Sequence, residues 1–306
     1  MITKNMKRNM FFILAIACMM AGCQPVEDLV DPTPTVTPTD GKYTITIQAS
    51  KDAGTKALYL DQSGTKDQLN AYWKSTEEVS IFKDIDYVAA LGVTPGSGDY
   101  PTTATLTGTV SGLAEADALT LMIPRKTWEY TGQDGNLATI ETNYDYATAS
   151  VTVNNVSGTN ITTNAANFQN EQSIYRFSFK ASSSATTLLP VKSMKVISAN
   201  NALVQSRTLG SEGWTDVPGS SIEITVPNNG TATVLYASLR NNRVGTSTNT
   251  DTYSIDIIGA DNALYVCGGN IPSSVMGAQG KFISLQNIVV SQARFTSNTT
   301  STNAVW

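Results

Sequence analysis

The fold is decided by a short stretch near the amino end, Tyr43-Thr44-Ile45-Thr46-Ile47-Gln48, in which apolar and polar side chains alternate. Successive side chains of a β-strand point to opposite faces, so this alternation predicts a strand with one buried and one solvated face. Isoleucine and threonine are β-branched and also favour strands. We therefore expect Ile45 and Ile47 to enter one core together.

The same alternation recurs along the chain, and helical spacing is scarce. Further runs of this kind are Ser150–Val153, Tyr175–Lys180, Ser221–Val226, Tyr253–Ile257 and Lys281–Leu285. The Asp-Gly pair within Gly132–Asn136 is typical of a tight hairpin turn. The segment Lys180–Thr187 lacks apolar spacing and is a candidate domain boundary. We therefore predict an all-β protein with two tandem antiparallel β-sandwich domains, at about 43–181 and 182–306.

The first 23 residues predict where the protein is sent. A basic segment precedes the apolar run Met10–Met20, and the small pair Ala21-Gly22 leads into Cys23. The apolar run is about half the ~20 residues that a transmembrane helix needs, which indicates a secretory signal peptide over residues 1–22. Met20–Cys23 also resembles a bacterial lipobox, in which the cysteine is acylated; the alternative is an ordinary signal peptide with a chance cysteine. We expect a lipoprotein that begins at Cys23.

Residues 23–41 are predicted to be a lipidated tether. The segment carries four prolines among threonine and acidic residues, without apolar periodicity. Such a composition favours polyproline-type extension of ~3.1 Å per residue, so the tether would hold the domains away from the membrane.

Composition excludes several partners. The chain has 306 residues, 20 Lys and Arg against 25 Asp and Glu, and a net charge of -5. It therefore lacks the basic surface that nucleic-acid binding requires. Once Cys18 leaves with the signal peptide and Cys23 carries lipid, Cys267 is alone, so no internal disulfide is expected. Cys267 lies in an alternating apolar run, which indicates a small buried side chain.

The absence of histidine argues against an enzyme. Neither a Ser-His-Asp nor a Cys-His nucleophile can be built, and the commonest zinc ligand is missing. Two S-x-x-K matches, Ser63–Lys66 and Ser80–Lys83, lack the partner motifs of that chemistry and indicate chance. The acidic pairs Asp84 with Asp86 and Asp145 with Glu141 are interpreted as solvated loop residues. We expect no cofactor, no metal and no catalytic residues.

Several fragments carry a resemblance to the fimbrillin-like proteins of Bacteroidota. They are Trp73–Phe82, Tyr144–Ala149, Phe168–Phe177 and Gly280–Phe282, which leads into an apolar strand. The likeness extends over most of the mature chain and rests on the order of these packing and turn signatures. It implies two transthyretin-like β-sandwiches, export to the cell surface as a lipoprotein, and assembly with other pilin subunits into type V pili that serve adhesion.

The resemblance also implies an assembly mechanism. In that family a protease removes the first strand of the amino-terminal sandwich together with the lipid, and a strand from the carboxyl end of another subunit fills the emptied groove. Here the removable strand would be Tyr43 to Ala49, with Ile45 and Ile47 on its buried face.

Two features depart from the family pattern. Well-studied members are cut after arginine, whereas the candidates here are Lys51 and Lys56, which lie in a stretch expected to be an exposed loop. The tail 291–306, which would be the donor strand, has few apolar residues, among them Phe295, Val305 and Trp306. Because a donor strand should present an apolar side chain at every second position, a stalk role and a tip or accessory role both stay open.

The alternative function is glycan binding by a surface lipoprotein. Such sites use exposed aromatic rings, and Trp128 with Tyr130, or Tyr144 with Tyr146, could supply them. At a spacing of two residues both rings of a pair share one face of a strand. Burial of these pairs in a core explains the same spacing.

Overall fold

The computed structural model describes residues 40–51, 58–62, 67–124, 127–242, 251–267, 271–276 and 279–293. The strands up to residue 170 are β1 (Lys42–Lys51), β2 (Leu58–Asp61), β3 (Gln68–Ala71), β4 (Glu78–Lys83), β5 (Asp86–Pro95), β6 (Thr103–Ser111), β7 (Ala118–Ile123), β8 (Trp128–Glu129), β9 (Ala147–Ser157), β10 (Asn160–Thr163) and β11 (Ala166–Asn170). Those that follow are β12 (Ser173–Lys180), β13 (Val191–Ser198), β14 (Leu203–Gly210), β15 (Gly213–Gly219), β16 (Ser221–Thr225), β17 (Leu235–Leu239), β18 (Thr252–Gly259), β19 (Leu264–Cys267), β20 (Ile271–Pro272) and β21 (Phe282–Gln292). The helices are α1 (Leu137–Asn143) and α2 (Ser273–Met276), with a 3-10 turn at Pro227–Asn229.

The first domain is a sheet of strands whose hydrogen bonding closes on itself. Its order is β10-β1-β11-β9-β7-β4-β5-β6, and a further pairing of β1 with β6 completes the ring. The core inside it is formed by aliphatic side chains from alternate positions of these strands, together with Trp73 and Phe168. Closure leaves few unpaired backbone groups at sheet edges, which is one way in which β proteins avoid edge-to-edge aggregation.

The second domain is an open sheet in the order β16-β13-β18-β19-β21-β12-β17, with β20 paired to β18. Its core is richer in aromatic side chains and includes Tyr175, Phe177, Phe179 and Tyr253. A smaller sheet, β15-β14-β8, joins the same core, and β2 pairs with β3 as a separate hairpin. The all-β class with two sheet-rich, sandwich-type domains is therefore confirmed.

The strand β12 belongs to the second sheet. It pairs with β17 in an antiparallel ladder and with β21 in a parallel one, although the predicted boundary at 181 and 182 places its sequence in the first domain. The boundary itself stays a prediction, because residues 36–306 form one compact unit. Within the described part of the chain, no helix is long and apolar enough to span a membrane.

The predicted hairpin at Gly132–Asn136 is wrong. The segment instead crosses to the second sheet, where Gln133 forms a parallel bridge with Ile224 and the N–H of Tyr236 donates to the carbonyl of Gly135 at 2.9 Å. Asn136 then caps α1, because its side chain accepts a hydrogen bond from the N–H of Ala138 at 3.0 Å. These long-range backbone contacts outweigh the local preference of the Asp134-Gly135 pair for a hairpin turn.

A half-buried ion cluster joins the two domains. Glu171 lies 2.8 Å from the guanidinium groups of both Arg207 and Arg240, and Asp216 lies 3.2 Å from Nε of Arg207. Arg207 also packs on the ring of Trp214 at 4.6 Å. Partial burial lowers the pKa of Arg207, and the charge of Arg240 acts in the same direction, while the two carboxylates oppose the shift.

Candidate strand-exchange groove

The first strand presents a continuous apolar face to the core. Ile45, Ile47 and Ala49 alternate with exposed residues along β1 and are 0%, 1% and 4% exposed. Burying a large aliphatic side chain contributes about 1.5–3 kcal/mol, so the two isoleucines are a substantial part of this core's stability. The predicted core strand Tyr43 to Ala49 is thus observed, within a strand that extends from Lys42 to Lys51.

Both edges of β1 are hydrogen-bonded. On one side it pairs antiparallel with β6 from Lys42 opposite Ser111 to Ser50 opposite Thr103. On the other side it pairs in parallel with β10 around Ile45 and with β11 at Ala49 to Lys51. Withdrawing β1 would therefore open the ring and leave unpaired backbone groups on β6 and on the β10 and β11 side.

The groove that β1 fills is lined by small and aliphatic residues. In the ladder between β1 and β6, Ile45 of β1 lies opposite Gly108 of β6, Ile47 opposite Leu106 and Ala49 opposite Ala104. A Cβ atom at Gly108 would lie 2.6 Å from Cδ2 of Leu91 and 2.9 Å from a backbone oxygen of the same strand, β5. Glycine is therefore required at 108 so that β6 can lie this close to β5.

The carboxyl end of β1 is held by an ion pair. Nζ of Lys51 donates to both carboxylate oxygens of Glu77 at 2.8 Å and to the carbonyl of Tyr72 at 2.8 Å. The ammonium also lies 4.1 Å from the ring centre of Trp73, which packs edge-on against Phe168. The side chains of Lys51 and Glu77 are only 0% and 4% exposed. A buried pair of this kind stabilises the protein only while both partners are present.

The expectation that Lys51 lies in an exposed loop is wrong. Lys51 is the last residue of β1, it pairs with Phe168 of β11, and its N–H donates to the carbonyl of Thr102 at 3.0 Å. The long methylene stem and a carboxylate partner allow this lysine to be buried. Lys56, the other candidate for processing, lies outside the described residues. Cleavage at either position stays a prediction.

The other predicted assembly residues lie largely outside the described part of the chain. Cys23 belongs to the first 39 residues, and Phe295, Val305 and Trp306 belong to residues 294–306, none of which is described. Only the beginning of the tail is described, where Ser291 pairs with Val266 and Gln292 with Tyr265 at the end of β21.

The aromatic pairs considered for glycan binding are buried for the most part. Trp128, Tyr130 and Tyr146 are each 0% exposed, and Trp128 stacks on Tyr146 at 5.1 Å. Burial raises the pKa of Tyr146, whose hydroxyl lies within hydrogen-bonding distance of the carbonyl oxygens of Glu129 and Asn143. A ring inside a core offers no face to a glycan, so burial in a core, the other interpretation of this spacing, is the one observed for Trp128, Tyr130 and Tyr146.

An exposed aromatic cluster lies elsewhere, beyond the carboxyl end of β1. Tyr59 and Tyr100 are 38% and 50% exposed and stack with a centroid distance of 4.3 Å. Tyr72 contacts Tyr100 edge-on at 5.1 Å, and Nζ of Lys74 lies 5.2 Å from the ring of Tyr72. Burial tends to lower the pKa of Lys74, but its hydrogen bonds to Glu141 and Tyr72 and their charges raise it overall. Sequence reasoning missed this cluster because its members are far apart in the chain.

The acidic pairs differ from one another. Asp84 and Asp86 are exposed, as predicted. Asp145 is 1% exposed and accepts a hydrogen bond from Nε2 of Gln172 at 2.7 Å, so the prediction of a solvated loop residue is wrong there. Among the described residues, no group of three or more His, Cys, Asp and Glu side chains is arranged to hold a metal ion.

No protein-family model and no curated protein sequence matches this chain. Among solved structures it is similar to a candidate cell adhesion protein of Bacteroides uniformis, with a TM-score of 0.43, 14% identity, and coverage of 84% of this chain and 98% of that one. A candidate cell adhesion protein of Bacteroides ovatus gives a TM-score of 0.41 and 13% identity over 82% of this chain and 95% of that one. A full-length major pilin of Corynebacterium diphtheriae gives a TM-score of 0.24 and 9% identity, over 82% of this chain and 66% of that one.

Proposed function

We propose that this chain is the precursor of a structural subunit of a cell-surface fimbria, assembled by strand exchange after proteolysis. The observation that carries the proposal is the position of β1. It is the first described strand, it is hydrogen-bonded on both edges, and it fills an apolar groove with Ile45 and Ile47. A strand at this place can be withdrawn towards the amino end and replaced by one from another chain.

The energetics of exchange favour an assembled fibre over an empty groove. While β1 is covalently attached, it competes at a very high effective concentration with any strand from outside. A cut in the following loop removes that advantage. The incoming strand then re-forms the ladder with β6 and covers the same core, so that exchange replaces one set of hydrogen bonds and apolar contacts by another.

We favour Lys56 over Lys51 as the processing residue. A protease binds its substrate as an extended, accessible segment, whereas Lys51 is 5% exposed and lies in a three-stranded ladder. Lys56 follows β1 by five residues in a stretch of glycine and small polar residues. A protease that cuts after lysine is required, because no arginine occurs between Arg8 and Arg125.

The two ends of the chain serve export and fibre formation. Cys23 carries the lipid that holds the precursor in the outer membrane, and cleavage after β1 releases the subunit into the fimbria. The donor strand comes from the carboxyl end, within 291–306, of another subunit of the same or a related kind. The fibre mediates adhesion to a host or bacterial surface. No enzymatic activity, cofactor or nucleic acid is part of this function.

Polymerisation after limited proteolysis tests the proposal. The full chain, extracted from membranes in detergent, is treated with trace trypsin and run on an SDS gel without boiling. We expect a ladder of multimers that collapses on boiling, and amino-terminal sequencing should place the new end after residue 51 and before β2. A Lys56→Ala variant serves as the matched control and should give no ladder. Clipped protein that stays monomeric would contradict strand exchange.

Glycan binding is the second candidate function, and the exposed tyrosines favour it. Aromatic faces next to polar groups bind the apolar faces of sugar rings, and Tyr59, Tyr72 and Tyr100 lie together beside Lys74. Retardation of the unclipped chain in gels that contain soluble polysaccharide would support it. Tyr100→Ala should abolish such retardation, whereas Tyr87→Ala, at a tyrosine that is 40% exposed outside the cluster, should not.

A further inference from the structure

The groove of β1 contains a fixed negative charge at one end. Glu77 is 9% exposed as a residue, and the ammonium group of its partner Lys51 lies over the ring of Trp73. One of its oxygens accepts a hydrogen bond from the N–H of Lys74 at 3.0 Å, and both accept from Nζ of Lys51 at 2.8 Å. The cation that balances Glu77 is therefore supplied by the last residue of β1.

Withdrawal of β1 would change this balance. If the chain is cut between residues 52 and 57, Lys51 leaves together with Ile45, Ile47 and the rest of the strand. Glu77 stays in the wall of the groove with the Lys74 N–H, but without the ammonium group. An incoming strand that covered this carboxylate with an apolar or neutral side chain would desolvate an unbalanced charge, which is strongly unfavourable.

We propose that Glu77 selects the strand that replaces β1 by its charge. The groove accepts a strand from a second subunit that carries Lys or Arg at the register position of Lys51, with aliphatic side chains six and four residues before it, where Ile45 and Ile47 lie. The apolar positions provide most of the burial, and the cation fixes the register. This inference rests on the proposed strand exchange and specifies the chemistry of the partner strand.

The occupant is a strand of a second subunit, and its cation can be a lysine or an arginine. A guanidinium group can form two parallel hydrogen bonds to a carboxylate, so an arginine suits Glu77 as well as a lysine does. Ile288 and Val290 of this chain are not available for this purpose, because they lie in β21 and pair with β12 and β19 inside the second sheet.

Peptide binding to the clipped full chain tests the inference. Trypsin cuts the chain in 52–57, mild urea displaces β1, and fluorescent peptides are titrated into the emptied groove with anisotropy as the readout. Three peptides cover residues 40–52: the native sequence, a Lys51→Met variant and a Lys42→Met variant. Lys42→Met is the matched control, since Lys42 is exposed on the same strand.

We expect Lys51→Met to weaken binding by about 100-fold or more, and Lys42→Met by less than about threefold. In a chain with Glu77→Gln, the native peptide should bind at most about tenfold more tightly than the Lys51→Met peptide. A chain with Glu77→Lys should bind a Lys51→Glu peptide more tightly than the native one. Equal binding of the native and Lys51→Met peptides would overturn charge selection while leaving strand exchange intact. If the native 40–52 peptide does not bind, strand exchange itself is refuted.

Discussion

The side chain of Gln133 pairs with the backbone of Ser238 as an adjacent β-strand would. Its Nε2 donates to the carbonyl of Ser238 at 2.7 Å, and its Oε1 accepts from the N–H of Ser238 at 2.7 Å. The backbone carbonyl of Gln133 meanwhile accepts from the N–H of Thr225 at 3.0 Å. Ser238 lies in β17 and Thr225 in β16, the two ends of the second sheet, so that one glutamine bridges its open edges.

Replacing Gln133 should destabilise the second domain. Gln133→Leu leaves the buried N–H and carbonyl of Ser238 without their partners, and each such group costs about 1–3 kcal/mol. We expect a loss of at least about 2 kcal/mol in urea unfolding, with an unchanged denaturant slope. Gln169→Leu, at an exposed glutamine of β11, is the control and should change little. Equal stability of the two variants would show that the Gln133 bridge is energetically neutral.

The buried face of β1 should be far more sensitive than its exposed face. Ile47→Ala removes methylene groups from a closed core and should cost about 2–5 kcal/mol. Thr46→Ala, on the opposite face of the same strand, should cost less than about 1 kcal/mol. Asp at both 45 and 47 should prevent folding of the precursor or cause aggregation. Thermal melts of the unclipped chain measure these effects, and a melting temperature unaffected by the double Asp change would exclude β1 from the core.

The Lys51 and Glu77 pair should behave as a unit. Lys51→Met leaves a buried carboxylate without its cation and should destabilise the precursor by about 3–5 kcal/mol. Adding Glu77→Gln should recover much of this loss, because the charge is then removed too. Lys83→Met provides the comparison: the side chain of Lys83 is 39% exposed in its pair with Asp117. An exposed pair contributes only about 0.2–1 kcal/mol, so a comparable loss in both lysine variants would contradict the buried-pair argument.

The lipid anchor depends on one thiol. If Cys23 is acylated, Cys23→Ala should abolish labelling by a fatty-acid probe and leave an unprocessed or periplasmic form. Cys267→Ala controls for the remaining thiol of the mature chain and should label normally. Undiminished labelling of the Cys23 variant would remove the lipoprotein prediction.

Processing should depend on Lys56 rather than Lys51. Lys56→Ala is expected to block both maturation and fibre formation in cells, because no strand can leave the groove while the chain is intact. Lys51→Arg keeps the cation at Glu77 and should mature normally. Fibres seen by electron microscopy in the Lys56 variant, with β1 still attached by sequencing, would refute the proteolytic step.

The strands themselves follow from local sequence. The period of two over Tyr43–Gln48 determined that Ile45 and Ile47 share one face, since alternate side chains of any extended chain do so. The other alternating runs likewise form strands, in β9, β12, β16, β18 and β21, with only Val226 and Lys281 at the ends of two runs lying outside them. The spacing of Trp128 with Tyr130, and of Tyr144 with Tyr146, was compatible both with a core and with a surface platform, so spacing alone left that choice open.

Tertiary structure decided which neighbours each strand received. Alternation defines a face but carries no information about the partner across the ladder, which is often remote: β1 pairs with β6, β10 and β11, and Gln133 meets Ser238 from 105 residues away. For the same reason the sequence predicts that Lys51, a charged residue that follows a polar one, is exposed to solvent. Burial of Lys51 is favourable only because the fold places Glu77, Tyr72 and Trp73 around its ammonium group. A buried charge requires a partner, and that partner is remote in the sequence.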